Sequence, residues 1–334
     1  MKQQIVFNGG TYLDNFDGNV LISSADSVYE LRPIPWEKQL ETLLNLKKVN
    51  EALDLSHNWR EAGLSQQKYN EILMKVKLKA AFIELSLKHF EETKHLLIES
   101  NADILELLDL YTGLLPHSLK PNDSSNYFSK VFCQPIDETN EDFEDYKLFL
   151  LQFLQQLYSD QSSQYKSREI EINCGLISLY LDKKCYSENL LKMLSQSNIK
   201  LDSEWVLMRL KQTDSYQALA LYYSANESTC DEAIDIWIKL ETGVYSDESY
   251  PGLHCLADFL SSLDSEQIIF KYMDFVLERD QKLGAKILIN RKLSENISTA
   301  EKLVRHLHKY PEAEQIYLEN LIFKMKIRVN FQIS

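Results

Sequence analysis

Seven histidines, five cysteines and 50 aspartates and glutamates are the side chains of this 334-residue chain that could carry chemistry. A metal site needs three or four converging ligands, which a sequence announces by short spacings such as CxxC or HExxH. Neither spacing occurs. His89 and His95 are six residues apart, off-face on a helix, and His306 and His308 are two apart, on different faces. His254 beside Cys255 has no companion at zinc spacing. The cysteines Cys133, Cys174, Cys185, Cys230 and Cys255 are scattered and odd in number, the pattern of reduced thiols in a cytosolic protein. The phosphate cradle GxxxxGK[ST], the dinucleotide turn GxGxxG and the nucleophile elbow GxSxG are also missing. Acidic pairs abound, but a general acid needs a shaped apolar pocket, which stacked helices rarely close. The expectation is a protein that is not an enzyme, with no catalytic residue, cofactor or metal. Trp36, Trp59, Trp205 and Trp237 fall on apolar faces and read as core, with interface anchors as the alternative.

The net charge of −14 opposes nucleic-acid binding, which needs a basic footprint, and direct adhesion to anionic lipid. No apolar run approaches the roughly 20 residues of a transmembrane helix, and the start MKQQIVFNGG has no signal-peptide core.

These side chains must sit on helices. The chain has 9 glycines and 7 prolines, far below the roughly 12% the two make up in average proteins. No proline falls between Pro135 and Pro251, a span only helices tolerate. The start differs. Gln4–Phe7, Asn19–Ser23 and Val28–Arg32 read as short strands separated by Gly9-Gly10, Asp17-Gly18 and Ser24–Asp26. Pro33 and Pro35 end that region, with Pro35 and Glu37 in a helix's first turn. Helical periods then follow at Trp36–Leu46, Val49–Trp59 (Ala52, Leu53 and Leu55 inward), Gln66–Phe90, Glu92–Glu99 and Ala102–Leu110. In Gln66–Phe90, the residues Tyr69, Ile72, Leu73, Val76, Ala80, Ile83 and Leu87 share a face. A long loop, Pro116–Glu138, leads to the acidic run Asp137-Glu138 and Glu141–Asp145, either a solvated helix start or a site for a basic partner. Further helices are predicted at Phe143–Tyr158, Glu169–Leu181, Ser187–Leu194, Ser203–Lys211, Ser215–Ala225, Glu232–Leu240, Gly252–Leu263, Ser265–Arg279, Thr299–Lys309 and Pro311–Met325. Asp264 with Gln267 and Ser298 with Glu301 fit capping boxes. Short loops make neighbours antiparallel, and no strict 34-residue period appears. The fold class is mostly α, an irregular, clathrin-repeat-like α-solenoid of antiparallel helical hairpins after a short β segment.

Several motifs keep a fixed order. The first is Val28-Tyr29, Pro33-x-Pro35, Glu37-Lys38-Gln39, Leu43-Leu44 and Val49-x-Glu51-Ala52-Leu53. Next come Glu106-Leu107-Leu108-Asp109-Leu110-Tyr111 with Leu114-Leu115-Pro116, then Tyr165-Lys166 with Leu179-Tyr180. Tyr216-x-Ala218-Leu219-x-Leu221-Tyr222-Tyr223 with Ala233 and Trp237 follows. The last runs from Phe275-Val276-Leu277 through Gly284, Ile287 and Arg291 to Lys309-Tyr310-Pro311-x-Ala313 and Tyr317-Leu318-Glu319-x-Leu321-Ile322. In series they resemble the TGF-beta receptor-associated protein family, the CORVET-specific tethering subunits related to the matching HOPS subunit.

The resemblance implies a seam between a citron-homology β-propeller and an α-solenoid, with the chain truncated at both ends. Residues 1–34 would be the propeller's last blade, 35–115 a first solenoid segment, 116–140 an acidic, polar loop, 141–326 a second segment and 327–334 a divergent tail. That is the form of a fragment, an incomplete gene model or a short isoform. It further implies a cytoplasmic protein, peripheral on early endosomes, that supports vesicle docking and fusion with the class C core subunits of CORVET and HOPS. An early-endosomal Rab GTPase is a further implied partner, lost if its binding needs the propeller. The alternative is a signalling adaptor for TGF-beta receptor tails or Smad proteins. Partner-binding residues are not encoded in any of these motifs, which are mostly packing residues.

Overall fold

A computed structural model of the chain describes residues 12–16, 19–23, 28–31, 34–58, 65–119, 133–160, 165–182, 187–196, 199–289 and 297–333, with backbone alone at 12–16, 19, 227, 297–301 and 324–333. The fold is mostly α, an irregular α-solenoid of antiparallel hairpins preceded by a short sheet. It divides into two compact units, residues 1–112 with 121–149, and residues 113–120 with 150–334.

The first unit opens with an antiparallel sheet of β1 (Tyr12–Phe16), β2 (Asn19–Ser23) and β3 (Val28–Leu31), in that order. Phe16 pairs with Asn19 and Tyr12 with Ser23, while Val20 pairs with Leu31. The expected strand Gln4–Phe7 lies outside the described residues. Strand β1 was not legible because YLDNF is poor in β-branched residues, and its pairing with β2 makes it a strand. All of β3 is exposed, with Val28 at 70%.

Helices α1 (Trp36–Asn45), α2 (Val49–Asn58), α3 (Gln66–Ser86), α4 (Phe90–Glu99) and α5 (Ile104–Leu108) follow. Pro35 sits one residue earlier than expected, as the N-cap of α1. On α2, Val49, Ala52 and Ser56 are buried, whereas Leu53 and Leu55 are half-buried. The break expected between Phe90 and Glu92 falls earlier: the first helix ends at Ser86 and the second starts at Phe90. Lys88 adopts a left-handed φ of 63°, and the His89 N–H returns to the Glu84 carbonyl at 3.0 Å, closing α3 in a Schellman turn. Leu87 therefore caps the helix and is exposed, and Phe90 starts α4. The Phe90 ring stacks on Phe149 at 5.1 Å and meets Tyr146 edge-on at 5.6 Å.

The same turn recurs at Lys47 (φ 57°), at Asn101 (φ 50°) and, in the second unit, at Asp214 (φ 51°) and Gly243 (φ 74°). In each, the N–H one residue on bonds a carbonyl five residues back: Lys48 to Leu43, Ala102 to Leu97, Ser215 to Leu210 and Val244 to Lys239. Four of these five turns use a residue other than glycine, the usual marker, so a glycine-poor sequence hides them.

Helix α6 (Phe143–Ser159) contains the unit division. The second unit continues with α7 (Glu169–Asp182), α8 (Ser187–Leu194), α9 (Ser203–Gln212), α10 (Tyr216–Ser224) and α11 (Cys230–Glu241). It ends with α12 (His254–Ser262), α13 (Glu266–Arg279), α14 (Gln281–Ile289), α15 (Ile297–Leu307) and α16 (Pro311–Ile333). Helix α7 is buried all round from Glu171 to Tyr180, as a helix inside a stack must be. Most consecutive helices pack (α7 with α8, α9 through α14 in turn, and α15 with α16), and so do alternate ones (α7 with α9, α8 with α10, α12 with α14, α14 with α16), which is how stacked hairpins share one core. Ser265, not Asp264, caps α13, its hydroxyl accepting from the Ile268 N–H. The Ser298–Glu301 pair lies outside the described side chains. Helix α16 runs past Met325 to Ile333, through the segment set apart as a tail.

Gly284 shows what the last motif does. A Cβ there would lie 2.4 Å from Leu277 Cδ2 and 3.2 Å from Leu277 Cα, so α13 and α14 approach as only glycine permits. Leu277, Val276 and Met273 are fully buried at that crossing.

Candidate interaction surface

The chemistry-bearing residues are dispersed. His89 Nδ1 meets Glu84 Oε2 at 2.5 Å, His306 Nε2 meets Asp274 Oδ1 at 2.6 Å, and His308 Nδ1 meets Glu314 Oε1 at 2.7 Å. Each is a local pair, and among the described residues no group of three or more His, Cys, Asp or Glu converges on one point. Cys133 and Cys174 are free thiols pushed up to about 11 by burial. Burial also raises Cys255. Thiols so placed are poor nucleophiles near neutral pH. Cys230 is a buried thiol that donates to the Asn226 carbonyl, and Cys185 lies outside the described residues.

The acidic run is tied into its own helix start. Asp137 accepts from the Thr139 N–H at 2.9 Å and its hydroxyl at 2.5 Å, which hold its carboxyl below the usual range. Asp142 pairs with Lys88, and Glu144 and Asp145 occupy the first turn of α6. These contacts are those of a solvated, dipole-complementing helix start.

Trp205 and Trp237 are buried, Trp36 is half-buried and Trp59 lies outside the described residues. The unassigned position in Tyr216-x-Ala218 is the informative one. Gln217 is 2% exposed and ties three elements together. Its N–H donates to Asp247 Oδ2 at 2.8 Å, its Oε1 accepts from Trp237 Nε1 at 2.9 Å, and its Nε2 lies 3.5 Å from Cys255 Sγ. A lone glutamine flanked by Ala218, Leu219 and Ala220 was the available signal. It satisfies the indole that would otherwise be an orphan in the core.

Outside this hub, rings and charges face solvent. Tyr216 stacks on Tyr245 at 4.0 Å and 6°, and its hydroxyl donates to Asp214, which raises the phenol. Lys239 sits 5.5 Å over Tyr245 and pairs with Asp235. On α11 and α13, Asp231 accepts from Lys271 at 2.8 Å and from the Tyr272 hydroxyl at 2.5 Å, contacts that lower its carboxyl. Arg279 lies 3.6 Å over Phe275. Exposed pairs like these add little stability. Ring faces and guanidinium groups are, however, the residue types that protein interfaces use. A neighbouring groove of about 590 Å³ is lined by Ser187, Thr213, Ser215, Asp247 and Ser249, among others. The described surface can bind protein by stacking and hydrogen bonds.

No family model and no solved structure matches the chain. Curated proteins do. The chain is 28% identical over 346 residues to the transforming growth factor-beta receptor-associated protein 1 homolog of Danio rerio. It is 28% identical over 334 residues to transforming growth factor-beta receptor-associated protein 1 of Mus musculus and of Homo sapiens. Each likeness covers 98% of this chain and 38% of the relative, so the chain spans well under half the length of the curated proteins it matches. The likeness runs nearly end to end on this chain, which is thus similar to the proteins named transforming growth factor-beta receptor-associated protein 1.

Proposed function

We infer that the chain is a non-enzymatic scaffold subunit of a CORVET-like endosomal tethering complex, acting in vesicle docking and fusion. The observation that carries this reading is the family likeness over 98% of the chain, laid on stacked helical hairpins. Such stacks offer long surfaces to large partners without closing a catalytic pocket. Its partners are the class C core subunits, with an early-endosomal Rab GTPase as a further one. Its place is the cytoplasmic face of early endosomes, reached through these partners. No described helix is long and apolar enough to cross a membrane.

The relatives' name favours a second reading, an adaptor for TGF-beta receptor tails or Smad proteins. Affinity capture of the tagged full chain from cells, blotted for class C core subunits and for receptor and Smad, separates the two. Recovery of core subunits supports the scaffold. Recovery of receptor or Smad with no core subunit supports the adaptor.

A further inference from the structure

Helix α16 has two sides of opposite character. It packs on α14 and α15, and its residues Ala313 and Tyr317 are fully buried. On the other side Gln315, Glu319, Ile322 and Phe323 are exposed, Ile322 at 54% and Phe323 at 63%. Single exposed apolar residues are ordinary, but an adjacent pair rimmed by polar residues is the pattern of a contact surface. The charges of the helix are segregated about that pair. Glu312, Glu314 and Glu319 all precede it, and Lys324, Lys326 and Arg328 all follow it. The helix dipole accounts for Glu312 and Glu314, which lie in the first turn. Those two are also taken up by Lys282 at 3.3 Å and His308 at 2.7 Å. The dipole does not account for Glu319 at mid-helix, nor for cations that stop short of the last turn. Glu319 accepts from the neutral Gln315 side chain at 2.9 Å. Lys326 stands seven residues beyond Glu319, hence on the same helix face.

We propose that α16 pairs antiparallel with α16 of a second copy of this chain, about a two-fold axis passing between Ile322 and Phe323. Across a two-fold, a residue on one side of the axis meets the residue equally far along on the other side. The pairing therefore sets Ile322 against Phe323 of the second copy, Glu319 against Lys326 and Gln315 against Asn330, each twice. Apolar meets apolar, acid meets base and amide meets amide. A parallel pairing would set Glu319 against Glu319 and Lys326 against Lys326, which costs like-charge repulsion. Opposite charges at equal distances from the apolar pair are what a second copy needs, and a different protein would have no use for that symmetry. Two helices meeting over about 20 residues share about 30 Å of length. That is small for an interface, so the dimer is weak, with a dissociation constant of about 10–100 μM. Pairing presents every surface of the scaffold twice, which raises avidity for partners. It holds whether the stack serves as tether or as adaptor.

The test is sedimentation velocity of the full chain over a concentration series spanning that constant. The expected result is a sedimentation coefficient that rises with concentration toward that of a dimer, less steeply in high salt, because the flanking ion pairs are exposed. Phe323→Glu, at an exposed position, should weaken the dimer by about tenfold or more while the melting temperature holds. Glu319→Lys and Lys326→Glu should each weaken it by about fivefold, since each breaks two exposed ion pairs, and the two exchanges together should restore it. A chain that stays monomeric through the series, a dimer indifferent to Phe323→Glu, or a double exchange that dimerises no better than either single one would overturn the proposal. The measurement uses this chain alone, so it can fail while capture of core subunits succeeds, and the reverse.

Discussion

The sheet of the first unit and the α13–α14 hairpin of the second both carry family motif residues, yet they hold them in opposite ways. In β3 the motif residues Val28 and Tyr29 are 70% and 45% exposed, and Leu31 is 38% exposed. At the α13–α14 crossing Val276, Leu277 and Ile287 are fully buried, and Gly284 is pressed against Leu277. Apolar side chains stabilise only what they bury, by about 25 cal/mol per Å². The hairpin therefore carries its own stability, whereas the sheet draws little from the β3 side chains. A three-stranded sheet with one strand this open is marginal by itself.

Substitutions at matched apolar positions sharpen that contrast. Leu277→Asp places an unpaired charge at a fully buried site and should cost about 3–5 kcal/mol, read as a large drop in the urea midpoint or local melting of the hairpin. Val28→Asp and Lys302→Asp, both at exposed positions, should stay within about 0.5 kcal/mol of wild type. Equal losses at Val28 and Leu277 would erase the distinction. Gly284→Ala forces a Cβ into Leu277 and should cost about 1–3 kcal/mol, with less cost in a Leu277→Ala background, where the side-chain clash is gone and only the 3.2 Å approach to Cα remains. Additive losses in that double-mutant cycle would deny the close approach. Gln217→Leu removes the acceptor of the Trp237 indole and should cost about 1–3 kcal/mol by thermal unfolding. The smallest effect has the opposite sign. Lys47→Gly relieves a left-handed residue in the α1–α2 turn and should raise stability by about 0.5–1 kcal/mol.

Helix periodicity made most of the second unit legible, because apolar residues at three- and four-residue spacing coincide with the observed buried faces. The α3–α4 break was expected, but its position was not legible. A lysine, not a glycine, occupies the left-handed position, and the apolar period runs from Ile83 through Leu87 to Phe90 without interruption. What ends the helix is a main-chain bond to Glu84 and the pull of Phe90 toward Phe149, a tertiary effect. The hub at Gln217 was hidden for a related reason. Its partners Trp237, Asp247 and Cys255 lie 20 to 38 residues away, so no local spacing announces them. The open side of α16 is wholly three-dimensional. Ile322 was noted as part of a motif, but nothing in a sequence says that it is left exposed.

The central claim is that the helical stack carries partner binding. The most direct test is co-purification of the full chain with class C core subunits, using wild type, Val28→Asp and Leu277→Asp side by side. The account predicts capture by wild type and Val28→Asp and loss with Leu277→Asp. Capture that survives Leu277→Asp and fails with Val28→Asp, or no capture by the wild-type chain, would contradict it.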